Sequence, residues 1–276
     1  MTVVVPTHGR PGYLEVTLDS LRRQSTRAPY EILVVDDGGD PSTPELAERF
    51  GARLVRHPEH RGANPARNTG IRESEAPLLV FIDDDICAPP GWLEAIAEGA
   101  ERHPDAEAFG GPIRPRLEGR APRSCGREEP PVTSLDLGPE DTEAEMAWGA
   151  NMAVRRSAFE RIGGFDDELN RTHGDEEDWI MRLRAGGGRL VYLADAGLDH
   201  RRTARDSRLR ALARAAYHRG RAARGTDRYR GSEPSLVYEL RVLVGCGWHT
   251  IRRACPQGVI MGAHSAGRIA EALRPR

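Results

Sequence analysis

Lysine is absent from this 276-residue chain, so all 40 of its basic residues are arginine. That excludes a lysine-dependent phosphate loop, a lysine Schiff base and a lysine general base. Aromatic residues make up only 5% of the chain, and no apolar stretch approaches the roughly 20 residues that a membrane span needs. The four cysteines, Cys87, Cys125, Cys246 and Cys255, show no CxxC or other metal-ligand spacing. Neither a zinc site nor a disulfide scaffold is therefore expected. A strand-like run begins almost at Met1 with no signal peptide before it, so the expected location is cytoplasmic, with at most a peripheral contact at the inner face of a membrane.

What is present is enough for a packed core: 38% hydrophobic and 30% charged residues. The abundance of Ala, Arg, Gly and Pro fits a GC-rich bacterial genome. The net charge of −2 hides an asymmetry. Residues 1–200 carry 23 Arg against 37 acids, and residues 201–276 carry 17 Arg against five acids. The C-terminal part therefore suits an anionic partner, phosphate or membrane surface, or else is a solvated basic face that offsets the acidic part. No nucleic-acid partner is expected.

The first hundred residues alternate strand and helix. Thr2–Pro6, Glu31–Val35, Arg53–Arg56 and Leu78–Ile82 read as strands. Tyr13 to Leu21, Ser42–Phe50 and Asn64–Ser74 read as helices between them. Continuous rather than alternating apolar strands imply a mostly parallel sheet covered on both faces. Further on, Glu107–Ile113 and Trp148–Arg155 read as strands, Arg156–Ile162 and Glu176–Ala185 as helices, and Leu190–Leu193 as a strand. Residues 115–141, rich in Pro, Gly and charge, read as a long loop and candidate lid. From Ser207 the pattern is helical, with Leu209, Leu212, Ala213, Ala216 and Tyr217 on one stripe flanked by arginines. Such a helix can lie on an anionic membrane or pack its stripe on protein.

Ligands of parallel α/β sheets bind beyond the carboxyl ends of the strands. Asp36–Asp37 and Asp83–Asp84–Asp85 fall at two such ends. Along an extended segment Asp83 and Asp85 share a face, a pair of hard oxygen donors suited to Mg²⁺ or Mn²⁺. Three adjacent carboxylates repel one another unless a cation is present, which favours a metal over a solvated turn. A third cluster, Asp175–Glu176–Glu177–Asp178, opens a helix, where acids suit the dipole. Four in a row exceed what capping needs and offer a general base.

The ordered set Val3-Val4-Val5-Pro6-Thr7, Val34-Val35-Asp36-Asp37-Gly38, Ala66-Arg67-Asn68-Thr69-Gly70-Ile71 and Phe81-Ile82-Asp83-Asp84-Asp85 resembles the inverting glycosyltransferases of family 2, with the GT-A fold. Trp148-Gly149-Ala150-Asn151, Ile162-Gly163-Gly164-Phe165-Asp166 and Glu176-Glu177-Asp178-Trp179 extend the resemblance to about residue 202. It implies an α/β catalytic domain over 1–202, with a nucleotide-binding half near 1–114 and an acceptor half near 142–202. A basic helical extension would occupy 203–276.

The resemblance also implies a nucleoside-diphosphate sugar donor, Mn²⁺ or Mg²⁺ as cofactor, and in-line transfer to an acceptor hydroxyl on a glycan, a lipid-linked sugar or a small molecule. Pro6, Thr7, Asp36 or Asp37, Arg67, Asn68, Asp83 and Asp84 fall at its nucleotide-sugar positions. Asp83, Asp85 and His200 fall at its metal positions. Glu176 falls at the base position, with Asp175 as the alternative. Two other readings of the acidic sheet edge are a metal-dependent nucleotidyltransferase and an inert nucleotide-binding scaffold. His8-Gly9-Arg10-Pro11 makes a poor triphosphate loop for the first, and the intact acids argue against the second. The basic tail would serve as a peripheral membrane contact or as a homodimer surface.

Overall fold

The computed structural model describes residues 1–120, 122, 123, 125, 132–171, 175–229 and 231–274, and of Asn170, Arg171, Asp175 and Tyr229 the backbone alone. The chain divides into two compact units. The first comprises Met1–Arg114, Ser134–Asn170 and Asp175–His200; the second comprises Pro115–Thr133, Arg171–Gly174 and Arg201–Arg276.

The first unit is built on a mixed sheet. Its parallel block joins β1 (Thr2–Thr7), β2 (Glu31–Asp37), β3 (Arg53–His57) and β4 (Leu78–Phe81). Helices α1 (Pro11–Arg22), α2 (Thr43–Phe50) and α3 (Ala63–Glu73) alternate with these strands in the chain. A short β5 (Ile86–Cys87) and helix α4 (Trp92–Arg102) follow. Strands β6 (Ala108–Gly110), β7 (Ile113–Leu117), β8 (Thr142–Glu143) and β9 (Met152–Arg155) come next. The unit closes with α5 (Arg156–Ile162), α6 (Asp175–Ala185), β10 (Leu190–Tyr192) and the start of β11 (Leu198–Arg202). The large sheet has the order β3-β2-β1-β4-β9-β6-β10-β8, with β9 antiparallel to both β4 and β6.

The apolar runs are continuous because both faces of the sheet are covered. Val3, Val5, Ile32 and Val34 face one core with Leu14, Leu18 and Trp92. Val4, Leu33 and Val35 face the other, with Phe81, Phe159, Phe165 and Trp179. Gly70 brings α3 onto β1, since an added Cβ would lie 2.3 Å from a Val4 methyl.

Two expected strands are shorter than their apolar content implied. Trp148–Asn151 forms a turn, closed by the Asn151 N–H donating to the Trp148 carbonyl at 2.8 Å, and the strand begins at Met152. The 107–113 run breaks at Gly110–Gly111, where a Cβ on Gly111 would meet the Ala196 carbonyl oxygen at 2.3 Å. Of the expected lid, residues 121, 124 and 126–131 lie outside the described residues. Near its far end Leu135 exchanges backbone hydrogen bonds with Ile113 at 2.8 and 3.1 Å.

The second unit is mainly helical: α7 (Leu209–Tyr229), α8 (Leu236–Arg253) and α9 (Gln257–Ala272). α7 and α9 approach closely at two glycines. A Cβ on Gly220 would lie 2.0 Å from the His264 carbonyl oxygen, and one on Gly267 the same distance from that of Tyr217. The stripe expected on α7 is taken up by this packing, with Leu212 and Ala216 buried against Ile260 and Val132. Most of this unit's exposed large apolar residues lie instead on α8, with Val259 and Met261 of α9 and Leu273 also exposed. Among the described residues no helix is long and apolar enough to cross a membrane.

Candidate functional site

At the carboxyl edge of the parallel strands the segment after β4 meets the end of β1 and, through Arg67, the first turn of α6. Thr7, the last residue of β1, donates its hydroxyl to Asp84 at 2.7 Å. Arg10 pairs with Asp84 and, at 3.0 Å, with Asp85. The Asp84 side chain is wholly buried. It was expected beside the nucleotide; the fold turns it inward instead. Burial pushes its carboxyl up to about 7, against the pull of Arg10.

The chain turns at Asp84–Asp85 instead of running extended, so the expected alternation along Asp83–Asp84–Asp85 does not hold: one Arg10 guanidinium takes both Asp84 and Asp85. Asp85 lies 3.2 Å from Nε2 of His200, which β11 brings in by pairing His200 with Ile86. Asp83 faces the guanidinium of buried Arg67 at 3.4 Å, and the same nitrogen lies 3.0 Å from Oε1 of Glu176. Arg67 Nη1 also donates to Asn64 at 3.3 Å. One planar guanidinium thus joins the strand-end acids to the first turn of α6. Burial pushes the Asp83 carboxyl above its ordinary value; Arg67 pulls it back, while Asp85 and Glu176 push further upward. Glu176 accepts a second hydrogen bond from the Gly149 N–H at 3.0 Å. The side chain of Asp175 lies outside the described residues.

Three other expected nucleotide residues spend their polar atoms inside the fold. Asp36 accepts from the Asp40 N–H and from Arg56, both at 3.2 Å. Asp37 accepts from His57 at 2.7 Å and from the N–H groups of Arg61 and Gly62 at 2.9 and 2.5 Å. Burial opposes ionisation of Asp37, but these donors outweigh it and hold the carboxyl below its ordinary value. Asn68 donates to the Phe165 carbonyl and to Asp167 at 2.8 and 2.7 Å and accepts from the Phe165 N–H, clamping that loop. Pro6 lies within β1 opposite Val35.

Two residues without an expected role prove central. Arg10 holds two of the three strand-end acids. Gly149 leaves room for the ion network: a Cβ there would sit 2.4 Å from both Arg67 Nη2 and Glu176 Oε1. The Trp-Gly-Ala-Asn run carried the signal, since a glycine between larger residues often marks a close approach.

The donor set suits a hard divalent cation. Asp83 and Asp85 supply carboxylate oxygens and His200 an imidazole, ordinary ligands of Mn²⁺.

A family model described as glycosyl transferase family 2 matches residues 2–163. A glucosyl-dolichyl phosphate glucuronosyltransferase of Haloferax volcanii is 28% identical over 216 residues, covering 73% of this chain and 69% of the relative. A pre-mycofactocin glycosyltransferase of Mycobacterium tuberculosis is 32% identical over 237 residues, covering 81% of this chain and 47% of the relative. The chain thus spans about half the length of several relatives it matches. Among solved structures, a mannosyltransferase of Pyrobaculum calidifontis in complex with GDP-Man and Mn²⁺ aligns over 99% of this chain and 86% of its own. Its TM-score is 0.64 at 16% identity. S. aureus TarS with UDP-GlcNAc aligns at a TM-score of 0.57 and 17% identity, covering 98% of this chain and 88% of its own. These likenesses show a GT-A fold.

Proposed function

The chain belongs to glycosyl transferase family 2, and we propose that it transfers a sugar from a nucleoside diphosphate to an acceptor hydroxyl with inversion, using a divalent metal. The observation that carries this reading is the connected network Asp83–Arg67–Glu176 at the sheet's carboxyl edge. Asp83, Asp85 and His200 would hold Mn²⁺ or Mg²⁺, which when bound offsets the charge developing on the leaving diphosphate. Glu176 takes the proton from the acceptor hydroxyl as the new bond forms. The Gly149 N–H and Arg67 fix the Glu176 carboxylate, so that part of the rate comes from orientation. Asp36, Asp37 and Asn68 act as positioning residues: they hold the backbone at Asp40, at Arg61–Gly62 and at Phe165.

Calorimetry with UDP, GDP and dTDP, with Mn²⁺ and then with EDTA, tests this. Tight, metal-dependent diphosphate binding lost in Asp85→Ala supports it. Unchanged binding in EDTA would overturn the metal requirement, and no nucleotide binding at all would leave an inert scaffold.

For the acceptor side, α8 is the informative element. Val237, Leu240, Val244, Trp248 and Ile251 recur at spacings of three and four and are exposed, Ile251 by 80%. Arg241, Arg252 and Arg253 lie on the same helix. Apolar residues beside a surplus of arginine suit an anionic membrane, and one relative is named for glucosyl-dolichyl phosphate. We therefore read α8 as the face that meets a membrane carrying a lipid-linked acceptor. Salt-sensitive co-sedimentation with phosphatidylglycerol vesicles, lost in a Trp248→Ser/Ile251→Ser double variant, is the expected result. Concentration-dependent dimerisation without vesicle binding would make α8 a homodimer surface instead.

A further inference from the structure

Spacing along the chain indicated no zinc site, yet folding of the second unit brings three metal-ligating side chains together. Sγ of Cys125, a ring nitrogen of His249 and Sγ of Cys255 all lie within 4.8 Å of one another. Among the described residues this is the one group of three or more histidine, cysteine or acidic side chains whose ligand atoms all come that close, a spacing that Asp83, Asp85 and His200 do not reach. Each ligand comes from a different local setting. Cys125 belongs to the 115–133 segment of the second unit. His249 lies near the C-terminal end of α8, and Cys255 lies in the turn to α9. The turn is specialised: Ala254 is the one described non-glycine residue with positive φ, at 48°. That left-handed residue ends α8 and lets the Cys255 N–H donate to the Thr250 carbonyl at 3.2 Å, burying the thiol.

We propose that Cys125, His249 and Cys255 form a site for a soft divalent cation, Zn²⁺ in particular, distinct from the hard-donor acidic site. Thiolate and imidazole donors select zinc over Mn²⁺ or Mg²⁺. Zn–S and Zn–N bonds of about 2.3 and 2.0 Å place tetrahedral ligands roughly 3.5–3.8 Å apart. Cys125 Sγ and His249 Nε2 already stand 3.5 Å apart. A bound Zn²⁺ neutralises two thiolates, and both cysteines line a cavity of about 200 Å³ together with Arg123, Arg253 and Ala254. Three protein ligands with one open position is an arrangement zinc accepts. On binding, each thiol releases its proton to solvent and no oxidant is required. The ion would tie Cys125 to the α8–α9 turn. A simple disulfide between the two cysteines would leave His249 without a role; a metal uses all three.

The test is metal binding by the full chain, reduced and freed of metal, titrated with Zn²⁺ against a chromophoric chelator. About one equivalent should bind tightly, and Co²⁺ in its place should give thiolate charge-transfer and tetrahedral d–d bands. Cys125→Ser and His249→Gln should each weaken binding by about 100-fold or more, with circular dichroism checking that both fold. Asp85→Ala and Cys87→Ser should keep the zinc, which separates this result from the fate of the acidic site. Stoichiometric binding that survives Cys125→Ser and His249→Gln, no tight binding by the wild type, or a Cys125–Cys255 disulfide in place of metal uptake would each overturn the proposal.

Discussion

The sheet unit buries a handful of aspartates at its strand ends, whereas the helical unit sets most of its few acids against arginines on neighbouring helices. In the first, Asp36, Asp37, Asp84 and Asp85 are all buried, each held by named donors. In the second, Asp227, Glu233, Glu239 and Glu271 pair with Arg268, Arg224, Arg228 and Arg221. That consumes nearly all the acids of residues 201–276 and leaves most of the 17 arginines as surplus positive charge. Acidic charge in the first unit is gathered at strand ends; in the second, arginine outnumbers acid. The lesson is that net charge of −2 describes neither unit.

The contrast can be broken or sharpened by substitution. The largest effect is expected at Glu176. Glu176→Gln keeps shape but accepts no proton, so kcat should fall by about 10²–10⁴ with little change in donor affinity. Vesicle binding by α8 should not change. If Glu176→Gln remains active and Asp175→Asn does not, the base lies one residue earlier. Next comes Gly149→Ala, whose methyl would meet Arg67 and Glu176 at 2.4 Å. Displacing the carboxylate by even an ångström should lower kcat by about 10–100-fold while the melting temperature moves little. An unchanged rate would mean that the network is not needed in its observed form.

The smallest effect concerns pH. Asp37 has a folded pKa held below its ordinary 3.8. Its ionised form therefore contributes stability above that value, and the contribution is lost as pH falls through the depressed folded value. Asp37→Asn should cost about 1–3 kcal/mol at neutral pH. It should also flatten the acid branch of a denaturation series below about pH 4. An acid branch as steep as the wild type's would remove Asp37 from the account.

Much of the sheet unit was legible because burial on both faces writes itself as continuous apolar runs. Thr2–Pro6, Glu31–Val35 and Leu78–Ile82 fall on β1, β2 and β4, and Arg156–Ile162 on α5. Helix α4 carries the same kind of signal, with Leu93, Ile96 and Ala100 buried at helical spacing, but no expected element covers it. For the site, sequence order located the acids but not their directions. Asn68 and Asp37 stand where a donor was expected, yet the fold uses their polar atoms internally, which only tertiary contacts decide. The Cys125–His249–Cys255 cluster is non-local and left no spacing to read.

The guanidinium of Arg67 serves Asn64, Asp83 and Glu176 at once. A compositional drift that exchanged arginine for lysine would therefore act unevenly along this chain. At Arg27, 82% exposed, an ammonium could stand in at small cost. At position 67 it could not, because a point charge on a flexible stem cannot span three acceptors as a planar fork does. Genomic bias can fill the surface with either cation; at the meeting point of the strand ends and α6, the shape of the charge leaves one choice.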